Sequence, residues 1–174
     1  MATPRRRINI ELLLGISATF LSLAALVVSI FQTKIAREQQ EASVWPRIAT
    51  SDNVLDLNFS FSIGNQGIGP AIIKSISIFY RGKKYETLSL VLFQQAGHLN
   101  GGYVYSDPEP ETVLKAGDEL DLFKLSRDDE PLSYKLKNVV NDSSFHFRVR
   151  YADVYGNCWQ LDRGKTRSLG KCSD

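Results

Sequence analysis

The feature that most constrains this chain is an uninterrupted apolar run near its N-terminus. Residues 12–31 read LLLGISATFLSLAALVVSIF and carry no charge. A helix of about 20 such residues spans the roughly 30 Å hydrocarbon core of a bilayer. No other segment offers helices that could cover this run on all sides in a soluble fold. The run therefore predicts a single transmembrane helix, with the lipid bilayer as its first partner.

A cleaved signal peptide is the alternative interpretation, because three arginines at 5–7 precede the run. The apolar region of a signal peptide, however, usually has about 7 to 15 residues and ends in a small-x-small cleavage site. Here the run is longer, and the polar, helix-forming stretch QTKIAREQQEA follows it. We expect an uncleaved signal anchor that continues into a helical stalk over residues 32–43.

The charges that flank the span predict its orientation. Three arginines precede it, whereas Lys34 and Arg37 on the other side are offset by Glu38 and Glu41. The more cationic flank tends to stay in the cytoplasm. The domain that follows the span is therefore expected in the periplasm or outside the cell.

Small residues recur along one face of the predicted span at spacings of three and four. Such a face lets two helices approach closely in lipid, where packing drives association. Small residues are also common in membrane helices that stay alone, so homo-oligomerisation through the span is one of two interpretations. The residues of this helix–helix seam are Gly15, Ala18, Ser22, Ala25 and Ser29.

The remainder of the chain has the pattern of a β-rich domain, which begins where Val44, Trp45 and Pro46 interrupt the helix. Apolar and polar residues alternate over 55–63 and again over 145–151, as in half-buried strands. The first alternation predicts one strand with the core face Leu55, Leu57, Phe59, Phe61 and Ile63. The second predicts a core face of Phe145, Phe147, Val149 and Tyr151, opposite His146, Arg148 and Arg150.

Further strands are predicted at 72–80, at 120–125 and around Trp159, and short helices at 87–95 and 131–140. This spacing of strands and turns predicts a mainly β fold, an Ig-like two-sheet sandwich. The expected organisation is a basic N-terminal tail at 1–11, the span at 12–31, the stalk at 32–43, the sandwich at 44–162 and a basic C-terminal tail at 163–174. That last tail is either a disordered end or a final edge strand.

A glycine-rich loop, Gly64, Gly67, Gly69 and Pro70, raises the question of a phosphate-binding site. The spacing is GxxGxG, which differs from the dinucleotide motif GxGxxG, and none of these glycines is followed directly by a Lys-Ser/Thr pair as in a P-loop, since Lys74-Ser75 lies five residues after Gly69. The isoleucine-rich run after Pro70 has strand character, so no helix N-terminus faces a phosphate. We expect a sheet-to-sheet turn with its glycines at positions of positive φ.

Two motifs carry a resemblance. The run FSIGNQGIGPAIIKS at 61–75 resembles the N-x-G-x-G-P-A-x-I turn of uncharacterised bacterial single-pass membrane-anchored β-sandwich proteins, and YADVYG at 151–156 resembles their Y-x-D-x-x-G hairpin. The resemblance implies this architecture and an anchor in the bacterial inner membrane, and it assigns no catalytic residue.

The side chains capable of chemistry are few and scattered. A net charge of +2 does not indicate a nucleic-acid-binding protein. Two cysteines and two histidines are too few for a zinc motif. A catalytic triad would need His98 or His146 next to a nucleophile and a carboxylate, and nothing in the local sequence suggests such a set, so we expect no enzyme, cofactor or metal. The cations His146, Arg148 and Arg150, with Lys83 and Lys84, are interpreted as a solvated face, or alternatively as a surface for an acidic partner or lipid headgroups.

Cys158 and Cys172 enclose a loop of about 15 residues, whose closure by a disulfide stabilises a fold by roughly 3 kcal/mol. The bridge is expected only in an oxidising compartment. The leading functional hypothesis is a membrane-tethered, non-enzymatic module that binds a protein or ligand near the bilayer. The alternative is a small sensor-effector, for example in bacterial stress or phage defence, whose β domain controls packing of the membrane helices.

Overall fold

The structure is a computed structural model that describes residues 9–55, 57–97, 102–126 and 129–172. It divides after Ala42 into a helical unit and a β-rich unit. The three arginines at 5–7 and His98 lie outside the described residues. The elements are α1 (Ile10–Ala42), β1 (Ile48–Leu55), β2 (Asn58–Asn65), β3 (Ala71–Tyr80), β4 (Lys83–Tyr85), α2 (Leu88–Ala96), β5 (Tyr103–Tyr105), β6 (Val113–Leu114), β7 (Glu119–Leu125), α3 (Glu130–Asn141), β8 (Phe145–Ala152), β9 (Asn157–Asp162) and β10 (Lys165–Lys171).

The helical unit is one continuous helix, α1, of 33 residues without a buried side chain. Its apolar part is long and hydrophobic enough to cross a membrane, with a mean hydropathy of 2.3 over the best window. Span and stalk are therefore parts of the same helix. It ends at Ala42, shortly before Pro46, which cannot continue a helix.

The β-rich unit is a sandwich of two antiparallel sheets, as predicted. The smaller sheet has the strand order β1-β2-β7-β5, and the larger has the order β10-β9-β8-β3-β4, with β6 also paired to β3. The basic segment after residue 162 forms β10 and pairs with β9, so the second of its two interpretations, an edge strand, is the one observed. The apolar core lies between the sheets and under α2 and α3.

The predicted strand at 145–151 and both short helices are confirmed. Phe145, Phe147, Val149 and Tyr151 are all buried, whereas Arg150 is exposed. The side chain of Thr87 caps α2 and that of Asp129 caps α3, each by accepting a backbone N–H bond at the helix start.

The predicted single strand at 55–63 is wrong, because the chain turns back within it. Leu57 adopts a positive φ of 65°, and β1 and β2 pair as an antiparallel hairpin on either side of it. Leu55 is 72 % exposed and Leu57 is 43 % exposed, so neither belongs to the core, while Phe59, Phe61 and Ile63 do. The alternation continues by chance through a turn, and the polar residues of the Asp-Leu-Asn sequence at 56–58 are typical turn formers.

Candidate functional site

The side chain of Asn65 is the hub of the glycine-rich turn. It is 1 % exposed, and its amide nitrogen donates to the carbonyl oxygens of Gly69 (2.7 Å) and Leu114 (3.0 Å). Its oxygen accepts from the backbone nitrogens of Arg47 (3.1 Å) and Gly67 (3.0 Å). All of the hydrogen-bonding capacity of this buried amide is thus used within the protein. The first residue of the N-x-G-x-G motif joins three separate segments of the sandwich.

Two glycines of this turn, Gly67 and Gly69, are required for close approach, and none of its three glycines is required for positive φ, which corrects the expectation from sequence. Gly64, Gly67 and Gly69 all have φ outside the left-handed region. A Cβ on Gly67 would lie 2.4 Å from the backbone nitrogen of Arg47, and one on Gly69 would lie 1.8 Å from the carbonyl oxygen of Val44. The turn, which carries the chain from the smaller sheet to the larger, therefore clasps the segment that follows α1.

Backbone hydrogen bonds reinforce this clasp. The amide of Gln66 donates to the carbonyl of Arg47 (2.8 Å), and the amide of Ile68 donates to the carbonyl of Trp45 (3.1 Å). These amides are thereby occupied by protein carbonyls, and a phosphate would have to displace them. The geometry is that of a structural turn, in line with the sequence argument against a P-loop.

The hairpin motif at 151–156 is also organised by one buried polar side chain. Asp153 is 3 % exposed, and its carboxylate accepts from the backbone nitrogens of Tyr155 and Asn157 at 2.8 Å each. It accepts a third bond, from the side chain of Asn157 at 2.7 Å. Gly156 completes the turn with φ of 76°. Asp153 is a turn former in this structure, with three hydrogen bonds to its carboxylate.

A disulfide joins the two ends of the last hairpin. Cys158 at the start of β9 is bonded to Cys172, which follows β10, with a Cα–Cα distance of 5.2 Å. The amide of Cys172 also donates to the carbonyl of Gly156 (2.9 Å). The bridge therefore ties the exposed strand β10 to the sheet at its far end.

A cleft of about 600 Å³ opens between the edge strands of the two sheets, and we call it the edge cleft. One wall is the start of β1 with the residues just before it, and the other is β9 with β10. Its walls combine indole rings, a guanidinium group and hydroxyls, a mixture typical of small-ligand sites. These groups come from Trp45, Arg47, Thr50, Trp159, Thr166 and Ser168.

A buried hydroxyl lies beside this cleft. Tyr151 is fully buried and stacks on Trp159 with ring centroids 5.9 Å apart. Its hydroxyl makes no hydrogen bond within the described residues. Burial raises the pKa of Tyr151 above its usual value of 10.0, against the opposing influence of Thr166 and the backbone of Ile48, two residues that line the cleft. Burial disfavours the phenolate, so the hydroxyl stays protonated.

The histidine that the structure describes is engaged in an ion-pair cluster. His146 Nδ1 lies 3.2 Å from Asp162 Oδ1, and Arg148 donates to the same carboxylate at 2.9 and 3.1 Å. Burial raises the pKa of Asp162, but the hydrogen bonds and charges of Arg148 and His146 outweigh it and hold that pKa below the usual range. This arrangement neutralises charge on the sheet surface.

Two acidic segments of the sequence, DPEPE at 107–111 and RDDE at 127–130, offer carboxylates of the kind that bind calcium. Among residues 9–55, 57–97, 102–126 and 129–172, no three histidine, cysteine or acidic side chains are grouped in a way that could hold a metal ion. Glu111 forms an ion pair with Lys74 at 2.8 Å. Partial burial raises the pKa of Asp107 above its usual value of 3.8. Within the segment at 127–130, Arg127 and Asp128 lie outside the described residues.

The small residues of the proposed seam lie on one continuous helix, and all of them are exposed. A Cβ on Gly15 would meet no heavy atom within 4 Å. The helix therefore presents the seam, Gly15, Ala18, Ser22, Ala25 and Ser29, to its surroundings as the sequence pattern requires.

Comparison with models of known protein families and with curated proteins gave no match. The resemblance to bacterial membrane-anchored sandwich proteins therefore stays a prediction. Local sequence patterns give no indication of the edge cleft. In the sequence, Trp45 and Pro46 indicate only the end of a helix, and Thr166 and Ser168 lie more than 100 residues further along the chain.

Proposed function

We propose that this chain is a single-pass, membrane-anchored binding module whose β-sandwich holds a ligand in the edge cleft. The observation that carries the proposal is the pair of indoles, Trp45 and Trp159, in a cleft that also offers Arg47 and several hydroxyls. Aromatic surface supplies most of the contact energy in such sites, and a few polar groups fix the orientation of the ligand.

We place the function in binding and not in catalysis because of the polar groups available. The described residues that line the edge cleft include one guanidinium group and hydroxyls, but no carboxylate or imidazole. General acid–base chemistry near neutral pH usually depends on one of those two groups. A protein segment or a small polar ligand with an apolar face fits these walls.

The anchor and its orientation belong to the same proposal. Helix α1 crosses a bacterial inner membrane, with the arginines at 5–7 in the cytoplasm and the sandwich in the periplasm or outside the cell. The disulfide between Cys158 and Cys172 suits that compartment, because thiols in the cytosol are kept reduced. The module would act on a ligand held close to the bilayer.

Intrinsic fluorescence tests the proposal even while the ligand is unidentified. The chain has two tryptophans, and both line the edge cleft, so quenching or a spectral shift reports on this site. The full chain in detergent micelles is titrated with fractionated envelope extract, peptides and oligosaccharides. We expect a saturable change with at least one component, lost in Ser168→Arg, which fills the cleft, and retained in Tyr134→Phe on α3. Equal responses of wild type and Ser168→Arg would overturn the proposal.

A second candidate is a sensor-effector, favoured by the position of the cleft along the chain. Trp45 and Arg47 follow α1 within a few residues and are held by the glycine turn, so a ligand on them acts on the segment next to the anchor. The small-residue seam gives the helix a surface on which its packing could change.

Membrane permeability separates this candidate from the simple binding module. The full chain is placed in dye-loaded vesicles, with or without the seam replacement Ala18→Leu/Ser22→Leu/Ala25→Leu. A sensor-effector predicts ligand-dependent dye release that the replacement abolishes. A simple binding module predicts no release from either chain. The matched control is Leu21→Ala/Leu23→Ala/Val28→Ala, which leaves the seam intact.

A further inference from the structure

The outer surface of the larger sheet carries an excess of positive charge. Strand register places five cations on this side, and Asp162 is the one carboxylate that the described strands contribute to it. We call this surface the basic face. Its cations are Lys84, Arg148, Arg150, Lys165 and Arg167.

The register arranges these cations in rows across the strands. Arg150 on β8 lies opposite Gln160 on β9, which in turn lies opposite Arg167 on β10. The neighbouring row runs from Arg148 through Asp162 to Lys165. The guanidinium of Arg148 also covers the Phe79 ring at 5.4 Å, which confirms that it extends over the outer surface.

The centre of the basic face is a buried amide surrounded by three arginines. Gln160 is 3 % exposed, and Arg150 Nε lies 3.4 Å from its side-chain oxygen. With the amide turned so that both of its atoms are satisfied, the oxygen lies 3.3 Å from Arg148 Nε and 3.2 Å from Arg167 Nη2. Three cations that repel one another thus surround one neutral amide, whose oxygen accepts from Arg148 and Arg167 in this orientation.

This repulsion is only partly compensated within the protein. Asp162 pairs with Arg148 and His146, whereas neither Arg150 nor Arg167 forms an ion pair with any described residue. Like charges held close together cost free energy, and a bound anion relieves that cost. Guanidinium groups present paired donors that match the oxygens of a phosphate.

We infer that the basic face binds the phosphate headgroups of anionic phospholipids in the membrane that holds the anchor. The charge is spread over several strands and not confined to a pocket, which matches a field of headgroups better than one small anion. The chain also restricts the choice, because about ten helical residues separate the apolar run from the sandwich, a length of roughly 15 Å. A domain tethered by so short a stalk has a high effective concentration next to the bilayer, so a cationic surface on it gains from every anionic headgroup that it meets.

The test uses the full chain in lipid nanodiscs with a polarity-sensitive fluorophore on the basic face. The native cysteines are joined in a disulfide, so Ser77→Cys adds the one free thiol among the described residues. Discs of phosphatidylcholine alone are compared with discs containing phosphatidylglycerol at low ionic strength. We expect a blue shift of emission only with phosphatidylglycerol, and its loss in high salt, where exposed charges are screened.

Charge-matched variants identify the residues responsible. Arg150→Gln/Arg167→Gln should lower the ratio of docked to free domain by about 30-fold, at roughly fivefold per cation. Lys115→Gln/Lys135→Gln removes the same charge elsewhere and should leave the blue shift intact. Arg150→Lys/Arg167→Lys keeps the charge and should retain most of it, which distinguishes lost binding from lost folding.

Three outcomes would overturn the inference. Equal emission in both kinds of disc would mean that the basic face does not meet lipid. An equal loss of the blue shift in Arg150→Gln/Arg167→Gln and in Lys115→Gln/Lys135→Gln would mean that overall net charge, and not the basic face, causes the docking. A shift produced by millimolar inorganic phosphate in phosphatidylcholine discs, with no effect of phosphatidylglycerol, would assign the three arginines to a soluble anion instead.

Discussion

A Cβ on Gly69 would lie 1.8 Å from the carbonyl oxygen of Val44, so the segment that follows α1 passes through space that a glycine leaves open. A Cβ on Gly67 would likewise lie 2.4 Å from the backbone nitrogen of Arg47. In both places the obstacle is backbone, which cannot move aside as a flexible side chain can. The turn that resembles a phosphate loop in composition thus works as a clasp around the start of the domain.

The first prediction follows from this clasp. Gly67→Val should lower the free energy of unfolding by about 3 kcal/mol or more, because overpacking against backbone forces β2, β3 and the segment at 44–47 apart. Chemical unfolding of the full chain in detergent, followed by circular dichroism, measures the change. Ile68→Ala is the control, since that side chain is 68 % exposed and should tolerate truncation. A Gly67→Val chain of unchanged stability that has lost nucleotide affinity would restore the phosphate-loop interpretation.

A second prediction concerns the amide hub. Asn65→Ala should cost about 3 to 5 kcal/mol, because it leaves the carbonyls of Gly69 and Leu114 and the amides of Arg47 and Gly67 without their partner. Gln66→Ala, at an exposed neighbouring position, should change stability by less than about 0.5 kcal/mol. Melting temperatures of the two variants give the comparison, and a similar loss in both would mean that the turn is not organised by Asn65.

The hairpin between β1 and β2 gives a third prediction that separates the observed register from the one suggested by the sequence. Phe59→Asp places a charge in the core, where Phe59 is 0 % exposed, and should cost several kcal/mol. Leu55→Asp lies on the same side of the predicted strand, yet Leu55 is 72 % exposed and the change should be nearly silent. Urea unfolding of both variants decides the matter, because a single uninterrupted strand requires both to be harmful.

Comparing the elements predicted from sequence with those in the structure shows which parts of the architecture are encoded locally. The apolar run, the alternation at 145–151 and the isoleucine-rich β3 each follow from residues close in sequence, and the structure confirms the membrane-length helix, the strands and the two-sheet arrangement. The alternation pattern does not reveal the hairpin at Leu57, because apolar residues happen to alternate on both sides of it. The polar residues at 56 and 58 are the sequence features that indicate a turn here.

The edge cleft could not be predicted, because its walls come from distant segments. Trp45 and Thr166 become neighbours of one cavity only through the pairing of β10 with β9 and the packing of two sheets at one edge. The basic face can be predicted from the sequence in part, because Arg148 and Arg150 alternate with core residues in one strand. Arg167 joins them through strand register, which follows from tertiary structure.

The fourth prediction is a pH dependence that arises from Asp162. Because its pKa lies below the usual 3.8 in the folded chain, its ion pairs stabilise the fold above that pH, and the contribution is lost as the pH falls through the folded value. Asp162→Asn should therefore cost more stability at pH 6 than at pH 3. Urea unfolding at the two pH values measures this. In an Arg148→Gln background the difference should shrink, and an equal cost at both pH values would contradict the pairing.

The last prediction concerns topology, because the compartment restricts every possible partner of the edge cleft. The three arginines at 5–7 should favour a cytoplasmic N-terminus. Lys34 and Arg37 on the other flank favour the opposite orientation less strongly, because Glu38 and Glu41 offset their charge. The sandwich would then meet an oxidising environment, in which the Cys158–Cys172 bridge persists and holds β10 in place. Intact bacterial cells that express the chain are treated with a membrane-impermeant maleimide before and after reduction. We expect labelling only after reduction. Thiols that react without reduction, and only after lysis, would place the domain in the cytoplasm, and the sensor-effector function would then be favoured over an envelope binding module.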